Sequence, residues 1–111
     1  MPDDTTSRFN QVQLVGRLAA DAVHRELPSG DRLATFRLVI DRPDNAVGPR
    51  VDTIDCAVWR ADLRRRVGAW GAGDVLRVEG ELRRRFWRAG AGVASRYEVE
   101  VGTARRLARS S

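Results

Sequence analysis

Apolar and polar positions alternate along most of this chain in short runs separated by turn residues. From Phe9 to Leu18, Val12, Leu14, Gly16 and Leu18 fall on one side, and Gln11, Gln13, Val15 and Arg17 on the other. That period of two predicts a half-buried strand. A weaker run spans 22–27, and Pro28-Ser-Gly-Asp31 then makes a turn. Arg32 to Ile40 alternates again, with Ala34, Phe36, Leu38 and Ile40 inward and Thr35 and Arg37 outward. Residues 41–50 are polar and Pro-punctuated, a loop. In the next strand, Val51 to Trp59, Ile54, Cys56 and Val58 share one face, and Thr53, Asp55, Ala57 and Trp59 the other. The one helix predicted lies over Ala61 to Trp70, where Leu63, Val67 and Trp70 are spaced to share a buried face. Asp74 to Arg84 and Val93 to Val101 predict two further strands, joined by a loop at 85–92.

Three strands, one short helix and two strands is the layout of an OB-fold, an all-β five-stranded Greek-key barrel with its helix between strands three and four. The expected organisation is a flexible N-terminus over 1–8, the barrel over 9–101 and a basic flexible tail over 102–111. No internal repeat or low-complexity segment interrupts it.

Composition narrows the function. The chain has 111 residues, enough for a core that needs no disulfide or metal. Its formal charge is +5, and all 20 basic residues are Arg. Guanidinium forks onto phosphates and stacks on rings, so a basic domain of this kind suits nucleic acid, an anionic membrane surface or an acidic protein. No apolar run reaches transmembrane length and the N-terminus shows no signal-peptide core, so a cytoplasmic protein is expected, with no membrane partner. Cys56 is the single cysteine and His24 the single histidine. No disulfide, zinc cluster, paired-histidine arrangement or P-loop can be assembled from them. No metal, cofactor or catalytic residue is expected, and the chain does not read as an enzyme.

Four segments resemble one known family. Asn10-Gln-Val-Gln-Leu-Val-Gly-Arg-Leu18 is similar to the opening strand of bacterial single-stranded DNA-binding proteins, and 30–38 to their second strand. Asp74 to Trp87 is similar to the fourth strand and its basic, aromatic continuation, and Arg96-Tyr-Glu-Val-Glu-Val101 to the fifth. The resemblance covers roughly 9–101, in the right order. It implies an OB-fold homotetramer that wraps single-stranded DNA in replication, recombination and repair. The family's base-stacking aromatics are matched at Trp59 and Trp87, and neighbouring basic positions at Arg83 and Arg85. There are departures. Thr53 stands where an aromatic is frequent, Asp55 where a base is common, and 41–50 lacks the tryptophan of some members. No acidic tail ending in Pro-Phe follows, as in a tail-less paralogue or a shortened chain, and tail-recruited partners are not expected.

The residues themselves carry two readings each. Trp59 is outward by parity, a base platform or a subunit contact. An exposed indole stacks on any base, for roughly 1–3 kcal/mol. The run Arg83-Arg-Arg-Phe-Trp-Arg88 interleaves cations with rings, and Arg83, Arg85 and Trp87 share one parity. With Phe86 and Arg88 it is read as nucleic-acid contact rather than a solvated tip, and Arg17, Arg37 and Arg60 are the next phosphate candidates. Arg64 to Arg66 suit a helix C-terminus and need no ligand. Trp70 and Phe36 are read as core, Tyr97 as core or interface, and Cys56 as a buried thiol. Glu79, Glu81, Glu98 and Glu100 are expected to pair across strands with Arg77 and Arg96. The leading function is sequence-tolerant single-stranded DNA binding. The alternatives are an accessory OB protein of primosome or restart type, or an oligomerisation or protein-interaction module.

Overall fold

The computed structural model describes residues 8–45 and 47–111. The expected flexible N-terminus therefore falls, but for Arg8, outside the described residues. Six strands and one helix follow in the order β1 (Val12–Leu18), β2 (Val23–Glu26), β3 (Arg32–Asp41), β4 (Val51–Val58), α1 (Ala61–Gly68), β5 (Val75–Ala89) and β6 (Gly92–Ala108). All strands belong to one sheet, ordered β1-β5-β6-β4-β3-β2. A short pairing of β1 with β3, Arg17 opposite Val39 and Leu18 opposite Leu38, closes it into a barrel. The extra strand beyond the five expected is β2, the weak run at 22–27. It is exposed throughout and pairs only with β3.

The inward parities of β1, β3 and β4 form the core as the alternation predicts. Leu18, Phe36, Leu38, Cys56 and Val58 are buried, joined by Leu76, Val78 and Val99 from β5 and β6. Helix α1 places Leu63 and Val67 against this core, and Trp70 follows it just beyond the helix end. Asp62 in the first turn and Arg65 and Arg66 in the last complement the helix dipole. Its predicted face is correct, but the helix stops at Gly68, two residues short of the expectation.

The largest departure is the ribbon of β5 and β6. The expected loop at 85–92 is strand except for its tip: Ala89 pairs with Gly92 across Gly90-Ala91. Gly90 has φ 58°, the left-handed conformation that a two-residue hairpin turn requires. At the other end, the tail expected to be flexible from 102 is strand to Ala108. Ala104 is buried opposite Val78, and the backbone N–H of Ser110 donates to Asp74 at 2.8 Å. Two irregularities in register let β6 follow β5 around the barrel, one of them at Glu79/Gly80. A Cβ at Gly80 would run into the Glu100 carbonyl oxygen, so the close approach there needs glycine.

Candidate nucleic-acid interface

Residues directly opposite in neighbouring strands share a face, so the register identifies one continuous outer surface. Arg25 of β2 opposes Leu33, and Thr35 and Arg37 of β3 oppose Ala57 and Asp55 of β4. Ala57 pairs with Glu100 of β6, and Glu98 and Arg96 continue that parity toward the tip. Arg83, Arg85 and Trp87 of β5 lie opposite Glu98, Arg96 and Ala94. Trp59, one residue past the end of β4, keeps the parity of Asp55 and Ala57. Five strands thus contribute to one sheet face.

Two adjoining depressions run along it. One, about 390 Å3, is lined by Arg25, Thr35, Arg37, Asp55 and Arg96 among others. The second, about 510 Å3, is lined by Arg25, Thr35, Arg85, Phe86, Trp87 and Arg96 among others. They share Arg25, Thr35 and Arg96, and so form one trough with arginines from β2, β3, β5 and β6 on its walls.

Two arginine–indole stacks are built along this surface. The Arg85 guanidinium lies 5.1 Å from the Trp59 ring centroid, and that of Arg96 lies 5.8 Å from the Trp87 ring. Arg85 and Arg96 are themselves cross-strand partners. Two like charges directly opposite repel, so their placement favours an anion between or above them. Arg85 donates to Glu98 Oε1 at 3.1 Å, and Glu98 is almost wholly buried. Among the described residues Arg96 has no carboxylate partner. Trp87 is 45% exposed, whereas Trp59 is half-buried beneath Arg85.

The other predicted residues separate by position. Arg37 lines the trough while paired with Asp55 at 3.3 Å. Arg83 shares the parity of Arg85 and bridges Glu81 at 2.8 Å and Glu100 at 3.0 Å, and these contacts, that with Glu81 first, raise its pKa. Arg17 pairs with Asp41 and Arg60 with Asp62, neither on the trough. Phe86 and Arg88 take the opposite parity to Trp87, although Phe86 reaches the trough's end. On that reverse face Arg84 lies 5.2 Å from the Phe86 ring and 5.4 Å from the Tyr97 ring. Tyr97 is 59% exposed rather than core. The glutamates do pair with arginines, but Arg77 pairs along its own strand with Glu79, and Arg96 pairs with none. Cys56 is buried, and burial first, then the charges of Asp55 and Glu98, push its thiol up to about 12, which keeps it protonated and inert.

Two trough residues, Arg25 and Arg96, are missing from the sequence-based set. Arg96 was assigned to a glutamate, and Arg25 lay in the weak run. The signal for Arg96 is its register opposite Arg85, which appears only once the hairpin tip is placed at Gly90-Ala91.

Known proteins share this architecture. A solved structure described as Plasmodium falciparum SSB complex with ssDNA superposes with a TM-score of 0.76, covering 96% of this chain and 99% of that one. At 21% identity, that likeness speaks for the fold. The chain is 36% identical over 81 residues to a single-stranded DNA-binding protein of Halalkalibacterium halodurans, covering 71% of this chain and 48% of that protein. It is 40% identical over 79 residues to single-stranded DNA-binding protein 1 of Staphylococcus aureus, covering 69% and 47%. The chain thus spans about half the length of the curated relatives it matches. The model of the single-strand binding protein family matches residues 9–107, from just before β1 to near the end of β6, and the chain belongs to that family.

Proposed function

We propose that this chain binds single-stranded DNA with little sequence preference, along the trough on the outer face of the sheet. The observation that carries this reading is the pair of arginine–indole stacks, whose arginines lie directly opposite each other on β5 and β6 and both line the trough. Phosphates meet guanidinium groups at Arg25, Arg37, Arg85 and Arg96, and unpaired bases meet the flat faces of the stacks. Arg83 extends the path along β5. Arg17 and Arg60, each paired with a carboxylate away from the trough, are secondary at most. Family membership and relatives named single-stranded DNA-binding proteins support the same reading, with roles in replication, recombination and repair.

A homotetramer is the assembly that accompanies this function. Val12 to Gly16 of β1 pair with β5 on one side only, leaving a strand edge open to another chain. Leu82, Phe86, Val93 and Tyr97 are exposed on the reverse face of the ribbon, an apolar row suited to burial between copies. The protein works in the cytoplasm, on the nucleoid. Within the described residues no helix is long and apolar enough to cross a membrane.

Anisotropy of a labelled thymine oligomer tests the function. The oligomer should bind and resist competition by duplex of equal charge. Equal competition by duplex would reduce the surface to a general polyanion sink.

A further inference from the structure

Trp59 and Arg85 occupy one place, and only one of them faces outward. The guanidinium covers the indole at 5.1 Å, and Trp59 is half-buried even though its parity is outward. Ala57, with the same parity, is almost wholly buried, so this part of the outer face is not open to solvent. For a base to stack on Trp59 itself, Arg85 would have to leave.

Glu98 opposes that departure. Its side chain is 5% exposed, its Oε1 accepts from Arg85 Nη1 at 3.1 Å, and its Oε2 is buried without any partner among the described residues. Among the described residues, Arg85 is thus the sole ion-pair partner of a buried carboxylate. Moving it away would leave both oxygens unpaired in a region that water does not reach, a large penalty for a charge. The same bond fixes where Arg85 can lie, because its β-strand neighbour Arg96 repels it from the other side.

We infer that Glu98 is a positioning residue that locks Arg85 over Trp59, so that DNA at this end of the trough meets a guanidinium plate backed by indole and not the indole itself. This inference rests on the proposed DNA-binding trough. A guanidinium in this position serves twice, since its flat face stacks on a base and its charge attracts phosphate. Trp59 contributes by supporting the plate, whereas Trp87 is the indole that bases reach.

The test uses the protein carrying Trp87→Phe, which keeps a stacking face but leaves Trp59 as the only indole near the trough. Trp70 is buried in the core and stays silent. Saturating thymine oligomer should quench Trp59 weakly while Arg85 is present. Arg85→Ala and Glu98→Val should each increase that quenching by uncovering the ring. Arg85→Lys keeps the charge without the plate, and affinity should fall roughly two- to fivefold, the worth of one exposed cation–π contact. If Glu98→Val does not fold, Glu98→Gln retains the volume, and acrylamide should then reach Trp59 more readily in the free protein. Strong quenching of Trp59 with Arg85 in place, unchanged in the Arg85 and Glu98 variants, would overturn the inference while oligomer anisotropy still reports binding. Absence of binding by anisotropy in the unaltered protein would instead defeat the DNA-binding reading beneath it.

Discussion

The two arginine–indole stacks contain the same chemical parts and differ in what holds the arginine. Arg85 is held on two sides, by Trp59 and by a buried Glu98. Arg96, directly opposite Arg85, touches Trp87 and has no carboxylate partner among the described residues. The first stack is therefore preorganised and covered, and the second is adaptable and open. A rigid plate costs little conformational entropy on binding, while a loose pair can follow bases of different size. Placing one of each on opposed strands suits a surface that must grip a backbone firmly while tolerating any sequence.

The comparison breaks most readily in stability. Arg85→Ala strands the Glu98 carboxylate, and breaking a buried pair costs about 3–5 kcal/mol. Arg85 is about one third exposed, so solvent should reduce the loss to roughly 2–3 kcal/mol. Arg96→Ala removes only a surface contact and should stay within about 0.5 kcal/mol. Urea denaturation of the two variants checks this. Equal losses would mean that the two arginines are anchored alike. The double change Arg85→Ala with Glu98→Val should recover much of the stability, because the unpaired charge is gone.

Affinity should show the opposite ranking for the indoles. Trp87→Ala should weaken oligomer binding by roughly 1–3 kcal/mol, since it removes a face that bases reach directly. Trp59→Ala should cost about 0.5–1 kcal/mol in affinity, the support it gives to Arg85. Isothermal titration with a thymine oligomer separates the two, and a larger loss at Trp59 would reverse the assignment.

Acid should act on the far end of the same ribbon. Backbone N–H groups of Gly71 and then Ser110 donate to Asp74, and with Arg106 beside it they lower its pKa. A lowered folded pKa means that the clamp's contribution is fully present above the unfolded value, near 3.9. It is lost as pH falls through the lower, folded value. Protection of the Ser110 N–H against hydrogen exchange, relative to the unstructured rate at the same pH, should be present at neutral pH and fall below about pH 4. Asp74→Asn should lower that protection at every pH. Undiminished protection at Ser110 in that variant would mean that strand pairing alone holds the end of β6.

How much of this was visible in the residue pattern depended on whether burial accompanied alternation. In β3 and β4 the apolar parity supplies most of the buried positions, with Leu33 and Ala57 the exceptions on the other, so Phe36, Leu38, Cys56 and Val58 could be assigned inward at once. Leu63 and Val67 marked the helix in the same way. Beyond Leu82 the ribbon leaves the barrel and both of its faces are open, so alternation carries no record of which side is which. Residues 85–92 therefore read as a loop. At 102–108 the inward position is only Ala104, too small to stand out beside Arg105 and Arg106. Parity identified the face of Trp59 correctly, but parity cannot report that another side chain lies across it. The cover comes from Arg85, 26 positions away in sequence, and becomes readable only through the register set by the Gly90-Ala91 turn.

The smallest expected difference between the stacks lies in their response to salt. Each phosphate neutralised on a single strand adds about 0.7 to the slope of log affinity against log salt, or roughly two- to threefold in affinity between 50 and 200 mM. Arg96 carries no internal counter-charge, so its whole charge is available to a phosphate, and Arg96→Ala should lower the slope by close to the full 0.7. Arg85 already shares its charge with Glu98, which holds a fixed anion against one edge of the guanidinium. Arg85→Ala should flatten the slope by less, even though it damages stability more. Affinities at four or five salt concentrations, for the unaltered protein and both variants, resolve a difference of this size. If Arg85→Ala flattens the slope at least as much as Arg96→Ala, then Glu98 does not hold its charge back from DNA, and the contrast between a locked and a free arginine is confined to geometry.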